Sequence, residues 1–158
     1  MLDGWKRAAV LALVVLALAV YTFARPAPQQ SEIDKLEERL QSASVEGFSG
    51  PSLQTAGYVR HYAYVRSGRP DELPFARMAE GLVLPSDKRL IAGVLVDPAV
   101  AGEGVRPGVR RVARRDLPTV PNRGCAVVNV LYDPREEDLL GAWCNPGRIA
   151  QAGTPTRR

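Results

Sequence analysis

An α+β fold is predicted for this chain: a short helix, then a small domain built on an antiparallel β-sheet. Three observations carry that expectation. Tyr58 to Arg66 alternates with period two, and Leu90 to Val96 is apolar at every position. Cys125–Tyr132 and Leu139–Cys144 are two apolar runs joined through Asp133-Pro134. Turn residues, rather than regularly spaced helices, separate these runs, and that spacing suits an antiparallel sheet better than a parallel one.

The chain divides into four parts. Residues 8–24 carry no charge, proline or glycine and are flanked by Lys6-Arg7 and Arg25-Pro26. A spanning helix needs about 20 apolar residues, with a usable range of roughly 17 to 25. Residues 1–24 are therefore expected to be either a membrane anchor or a cleaved signal peptide, with cleavage after Ala19 or Ala24. No lipobox cysteine succeeds this run, which excludes a lipoprotein. Lys6 and Arg7 favour an N-terminus left in the cytoplasm, so both readings export the remainder of the chain. The expected location is the inner or plasma membrane, single pass, with the C-terminal domain extracytoplasmic, or secretion if the segment is cleaved.

Residues 25–51 read as a Pro/Gln spacer followed by a short amphipathic helix. Ser31 suits an N-cap, and Ile33, Leu36 and Leu40 fall on one face of residues 32–42. That stripe either packs on the chain's own domain or joins two copies as a homodimer. The domain itself is expected over residues 52–146, on the order of 90 residues, near the small end for a single core. Residues 147–158 form a basic tail expected to be disordered. With 46% hydrophobic and 24% charged residues, the composition is that of an ordinary globular protein with an appended anchor.

Within the domain, strands are expected at 58–66, 81–84, 90–96, 109–115, 125–132 and 139–144, with a short helix at 74–80. Leu90–Val96, apolar on both faces, belongs inside the sheet. Val109–Arg115 belongs at an edge, where dense arginine is tolerated and discourages association. The 125–144 hairpin is expected near the sheet centre. A two-residue turn at Pro134-Arg135 would put the cysteines directly opposite, but proline favours a longer loop, moving the register by a residue or two. In either register Cys125 and Cys144, the two cysteines of the chain, meet near the open end of the hairpin and are expected to form a disulfide.

The sequence holds no Walker loop, dinucleotide fingerprint, His-Glu-x-x-His or Gly-x-Ser-x-Gly. His61 is the single histidine, which removes multi-histidine metal sites and leaves room for one general base. No metal or other cofactor is expected. Glu136, Glu137 and Asp138 form an acidic turn without the ligand spacing of a calcium loop. Two features point to binding. Tyr58, Tyr62 and Tyr64, with Arg60 interleaved, could stack on sugars or bases, or pack beneath a helix. Arg106, Arg110, Arg111, Arg114 and Arg115 could meet an anionic surface; export argues against nucleic acid.

The function these features imply is a membrane-anchored cell-envelope protein whose exported domain is a non-enzymatic binding or assembly module. Its partners would be the membrane, through residues 8–24, and another envelope protein or anionic component. Two alternatives stand beside it: a small exported hydrolase using His61 or a carboxylate pair, and a sensor or inhibitor domain binding an anionic ligand through the arginines.

Overall fold

Helix α1 (Gln30–Ser42) follows from an apolar stripe, Ile33, Leu36 and Leu40, whose three residues have no exposed surface. Its start is fixed by Glu32, whose carboxylate accepts the Gln29 backbone N–H at 2.9 Å. A carboxylate in the first turn also suits the helix dipole. The computed structural model describes residues 27–50, 52–68, 84 and 86–145. The expected anchor, the 74–80 helix, the 81–84 strand apart from Leu84, and the tail lie outside the described residues. Among the described residues no helix is long and apolar enough to cross a membrane.

The strands are β1 (Val59–Arg66), β2 (Arg89–Val96), β3 (Gly108–Arg111), β4 (Val127–Asp133) and β5 (Asp138–Cys144). They form one five-stranded sheet in the order β3-β1-β2-β4-β5. The fold is α+β as expected, but the sheet is mixed rather than antiparallel. β1–β2, β2–β4 and β4–β5 run antiparallel, whereas β3 is parallel to β1. The reason is connectivity. From the end of β2 the chain passes through the short helix α2 (Pro98–Ala101) and a loop, steps past β1, and enters β3 from that same end. Skipping one strand of an antiparallel pair makes the third parallel to the skipped one.

β2 is the centre of the sheet, buried at every position but Arg89. That is what its two-sided apolar run requires. The 125–144 hairpin is not central: β4 neighbours β2, and β5 lies at the edge. Here the backbone of Glu46, from the segment after α1, covers part of β5. Glu46 N–H donates to the Ala142 carbonyl at 2.9 Å, and Cys144 N–H donates to the Glu46 carbonyl at 2.8 Å.

Two apolar layers enclose the sheet. On one face Ile33, Leu36 and Leu40 of α1 pack with Tyr62, Ile91, Leu95, Val128 and Val130. Each such aliphatic side chain contributes about 1.5–3 kcal/mol on burial, so α1 belongs to the folded body, which starts well before residue 52. Its stripe is spent on its own sheet rather than on a coiled-coil seam. On the other face Val65, Leu90, Val94, Leu131 and Trp143 are roofed by loop residues including Val112, Leu117 and Val120. Asn129 and Asn145 pin that roof: Asn129 Nδ2 donates to Asn145 Oδ1 at 2.6 Å, and Asn145 Nδ2 donates to the Val120 carbonyl.

The hairpin turn spans Pro134 to Glu137, longer than two residues, as proline at its start demands. Asp133 organises it, accepting the Arg135 N–H at 2.9 Å and pairing with Lys88 at 3.3 Å. Burial pushes the Asp133 carboxyl up, but these N–H groups and the Lys88 ammonium outweigh it and hold the carboxyl below its ordinary 3.8. A bulge at Leu131/Tyr132 adds to the offset, so Val128, not Cys125, faces Cys144. The shift is larger than the residue or two expected. Cys125 nonetheless curls back through the 3-10 turn Gly124–Ala126, and the disulfide to Cys144 forms with a Cα–Cα distance of 4.5 Å. In the chain-entropy model a loop of this size is worth about 3 kcal/mol.

Gly93, on the central strand, lets the Tyr62 ring lie against the backbone. A Cβ there would fall 2.7 Å from Tyr62 Cε1 and 3.3 Å from Val130 Cβ. Gly93→Ala is therefore expected to lower stability by about 1–3 kcal/mol through overpacking, read from the shift in urea midpoint at unchanged slope. A chain lacking residues up to 43 loses the whole α1 stripe and is expected to give no cooperative unfolding transition and to bind hydrophobic dye.

Candidate functional site

The first candidate surface, the tyrosine face of β1, is interior. Helix α1 runs antiparallel to β1 above it, so that Glu32 meets Tyr64 and Glu37 meets both Arg60 and Tyr62. Tyr62 has no exposed surface, and its hydroxyl donates to Glu37 Oε1 at 3.1 Å. Arg60 Nη1 donates to Glu37 Oε2 at 2.7 Å, with both side chains largely shielded. Tyr64 donates to Glu32 while the Arg89 guanidinium lies 4.3 Å over its ring. Tyr58, at the lower end, donates to the Cys125 carbonyl at 2.9 Å. Every hydroxyl of the set is engaged, and the central ring cannot reach a ligand. Burial, and then the Glu37 charge, hold the Tyr62 phenol well above its ordinary 10.0, so it stays a donor.

His61 lies on the opposite face of β1, where its in-register neighbours are Val94 of β2 and Arg110 of β3. Its Nδ1 is buried with no hydrogen-bond partner among the described residues. Burial is the main cause that holds the imidazole below its ordinary 6.5; the Val94 and Val59 carbonyls oppose it, and the Arg110 charge adds to it. Among the described residues nothing hydrogen-bonds His61 Nδ1, so no carboxylate or hydroxyl orients the ring through that nitrogen. Two of the three carboxylates of the acidic turn are engaged. Glu136 pairs with Lys88 at 3.0 Å and Glu137 with Lys35. Among the described residues no group of three or more His, Cys, Asp or Glu could hold a metal ion.

The arginines fare differently. β3 is an edge strand, as the sequence implied, but it ends at Arg111. A 3-10 turn, Arg114–Asp116, occupies the remainder of the expected strand. Arg106, Arg110, Arg111 and Arg115 are exposed, whereas Arg114 is half-buried and engaged. Arg115 has Asp116 at 3.7 Å in an exposed arrangement, which screening leaves weak. Arg106, Arg110 and Arg111 face no carboxylate among the described residues. The five therefore do not form one patch. Consecutive strand residues point to opposite faces, so Arg110 shares the His61 face and Arg111 the face of Tyr62 and α1. What they hold in common is the edge itself.

Sequence reasoning missed two things here: the parallel placement that brings Arg110 beside His61, and the role of Glu32 and Glu37 beneath the helix. The second left a signal, since Glu32 and Glu37 flank the stripe residues Ile33 and Leu36 and would be drawn toward any polar groups under it.

The neutral His61 has a pH signature. Its pKa is lower in the folded chain than in the unfolded one, so between those values the unfolded chain binds more protons and stability rises with pH. The contribution is complete above about 6.5 and is lost as pH falls toward the folded value. The wild type is expected to lose more urea resistance than His61→Gln between about pH 7.5 and about pH 5.5, above the main carboxylate range.

No family model, curated protein or solved structure matches this chain.

Proposed function

We propose that the chain is a membrane-anchored cell-envelope protein whose folded domain is a non-enzymatic module that binds an anionic partner. The observation that carries this reading is the β3 edge, with Arg110 and Arg111 exposed on it, Arg106 exposed ahead of it and Arg115 exposed beyond it. Arg106, Arg110 and Arg111 face no carboxylate among the described residues and Arg115 has only an exposed, screened contact with Asp116, so positive charge is left along this edge, and that is tolerated where an anion is to be met. The anchor in this reading is residues 8–24, whose apolar run is long enough to span. The junction supports it. Helix α1 starts at Gln30 with Pro28 buried against the domain, leaving a short spacer after residue 24. The domain would thus be held close to the bilayer.

The partner is defined by its charge alone. Binding should weaken with salt, because exposed charges are screened over about 8 Å at physiological ionic strength. The test uses the full chain in phosphatidylcholine nanodiscs, applied to immobilised heparin as a generic polyanion. The wild type is expected to be retained at low salt and released as salt rises. Replacing Arg106, Arg110, Arg111 and Arg115 by glutamine should abolish retention while leaving the thermal melting temperature within a few degrees. Retention unchanged by the substitutions would refute the reading.

A further inference from the structure

The two edges of the sheet are not equivalent. At β5 the edge is already extended by the Glu46 backbone, which pairs in parallel with Trp143. At β3 the pairing with β1 uses alternate residues: Gly108 N–H donates to the Tyr58 carbonyl at 3.1 Å and Val112 N–H to the Tyr62 carbonyl at 3.0 Å. Backbone direction alternates along a strand. Val109 and Arg111 therefore turn their N–H and C=O groups outward, and among the described residues neither has a backbone partner on that side. The same alternation sends the Arg110 and Arg111 side chains to opposite faces of the sheet.

That arrangement discriminates between anionic partners. A flat charged surface laid against either face of the sheet meets Arg110 or Arg111, not both. A chain running along the edge is flanked by both guanidiniums and by the outward backbone groups between them. Its own consecutive side chains also alternate between faces, so adjacent acidic residues would each find an arginine. A second copy of this chain is disfavoured as occupant, since edge-to-edge pairing of β3 with β3 would bring arginines together. Pro107, with no N–H, and the brevity of β3 make the edge poor for uncharged strands as well. Charge must supply what length does not.

We propose that the β3 edge takes an extended acidic segment of a partner protein as an added strand, held by the outward backbone groups of Val109 and Arg111 and by Arg110 and Arg111 on either side. Arg106 ahead of the strand and Arg115 beyond it extend the positive track. The inference rests on the reading of the domain as an anion-binding module and names the partner class for that surface.

The test again uses the full chain in phosphatidylcholine nanodiscs, with fluorescence anisotropy as the readout. Three probes are compared: a labelled peptide of about eight residues, mostly glutamate with interspersed valine; the same peptide N-methylated at each central residue; and labelled vesicles of phosphatidylcholine and phosphatidylglycerol. The unmodified peptide is expected to bind about tenfold tighter than its N-methylated form, which keeps the charge and loses the backbone donors. Combined Arg110→Gln and Arg111→Gln substitutions should weaken the unmodified peptide about tenfold or more, with the melting transition retained to show an intact fold. Equal binding of the two peptides, or binding to vesicles alone, overturns the added strand while leaving the anion-binding reading in place. Failure of peptides and vesicles alike, together with loss of heparin retention, overturns both.

Discussion

The Tyr62 ring packed against Gly93 is the contact on which the rest of the structure depends. It lets a large aromatic side chain fit between the central strand and helix α1 without forcing them apart. The Tyr62 hydroxyl then reaches Glu37, and Glu37 in turn draws in Arg60. A buried arginine–carboxylate pair does not by itself guarantee stability, because desolvation offsets much of the attraction. Its effect here is geometric. Together with the Glu32–Tyr64 contact it sets the rotation of the helix, and the helix presents Ile33, Leu36 and Leu40 to the sheet in one orientation.

That packing decides which surfaces remain for other molecules. The aromatic face of β1 is consumed by α1, and the opposite face is roofed by the 112–120 loop. The acidic turn neutralises Lys88 and Lys35. At β5 the Glu46 backbone and the Cys125–Cys144 disulfide close the sheet from the side. The Cys125 sulfur lies 3.1 Å from the Gly47 carbonyl, a contact rather than a hydrogen bond, since a disulfide sulfur carries no proton. Gly47 itself has φ of +82° and a Cβ there would come 3.3 Å from Cys144 Cβ, so glycine makes this turn with the least strain. Along β3, Arg110 and Arg111 face no carboxylate among the described residues.

Catalytic sites gather groups whose environments push their pKa values toward a task. Three of the perturbed groups among the described residues have structural explanations: Tyr62 is buried against a carboxylate, Asp133 organises a turn, and His61 is desolvated beside an arginine. The arginines of the edge are open to solvent and oriented by a rigid strand, which is the condition for reading a partner's charge pattern.

The amino-acid sequence alone determined the local elements, because each rests on short-range periodicity. Period two marked β1, a two-sided apolar run marked β2 as interior, and spacing of three and four residues marked α1. The cysteines were legible as a pair because both lie near one end of a hairpin, and small register errors leave them within reach. Tertiary structure alone decided the direction of β3, the position of the hairpin and the fate of the tyrosines. Strand direction depends on which neighbour a segment skips, and nothing within Gly108–Arg111 encodes that choice. The hairpin's place depends on which of its strands pairs with β2. The tyrosines could have faced a ligand or a helix, since an aromatic face looks the same in sequence either way. Tyr62 and Tyr64 were assigned to α1 because the helix carried both the apolar stripe to cover the rings and the carboxylates to receive their hydroxyls.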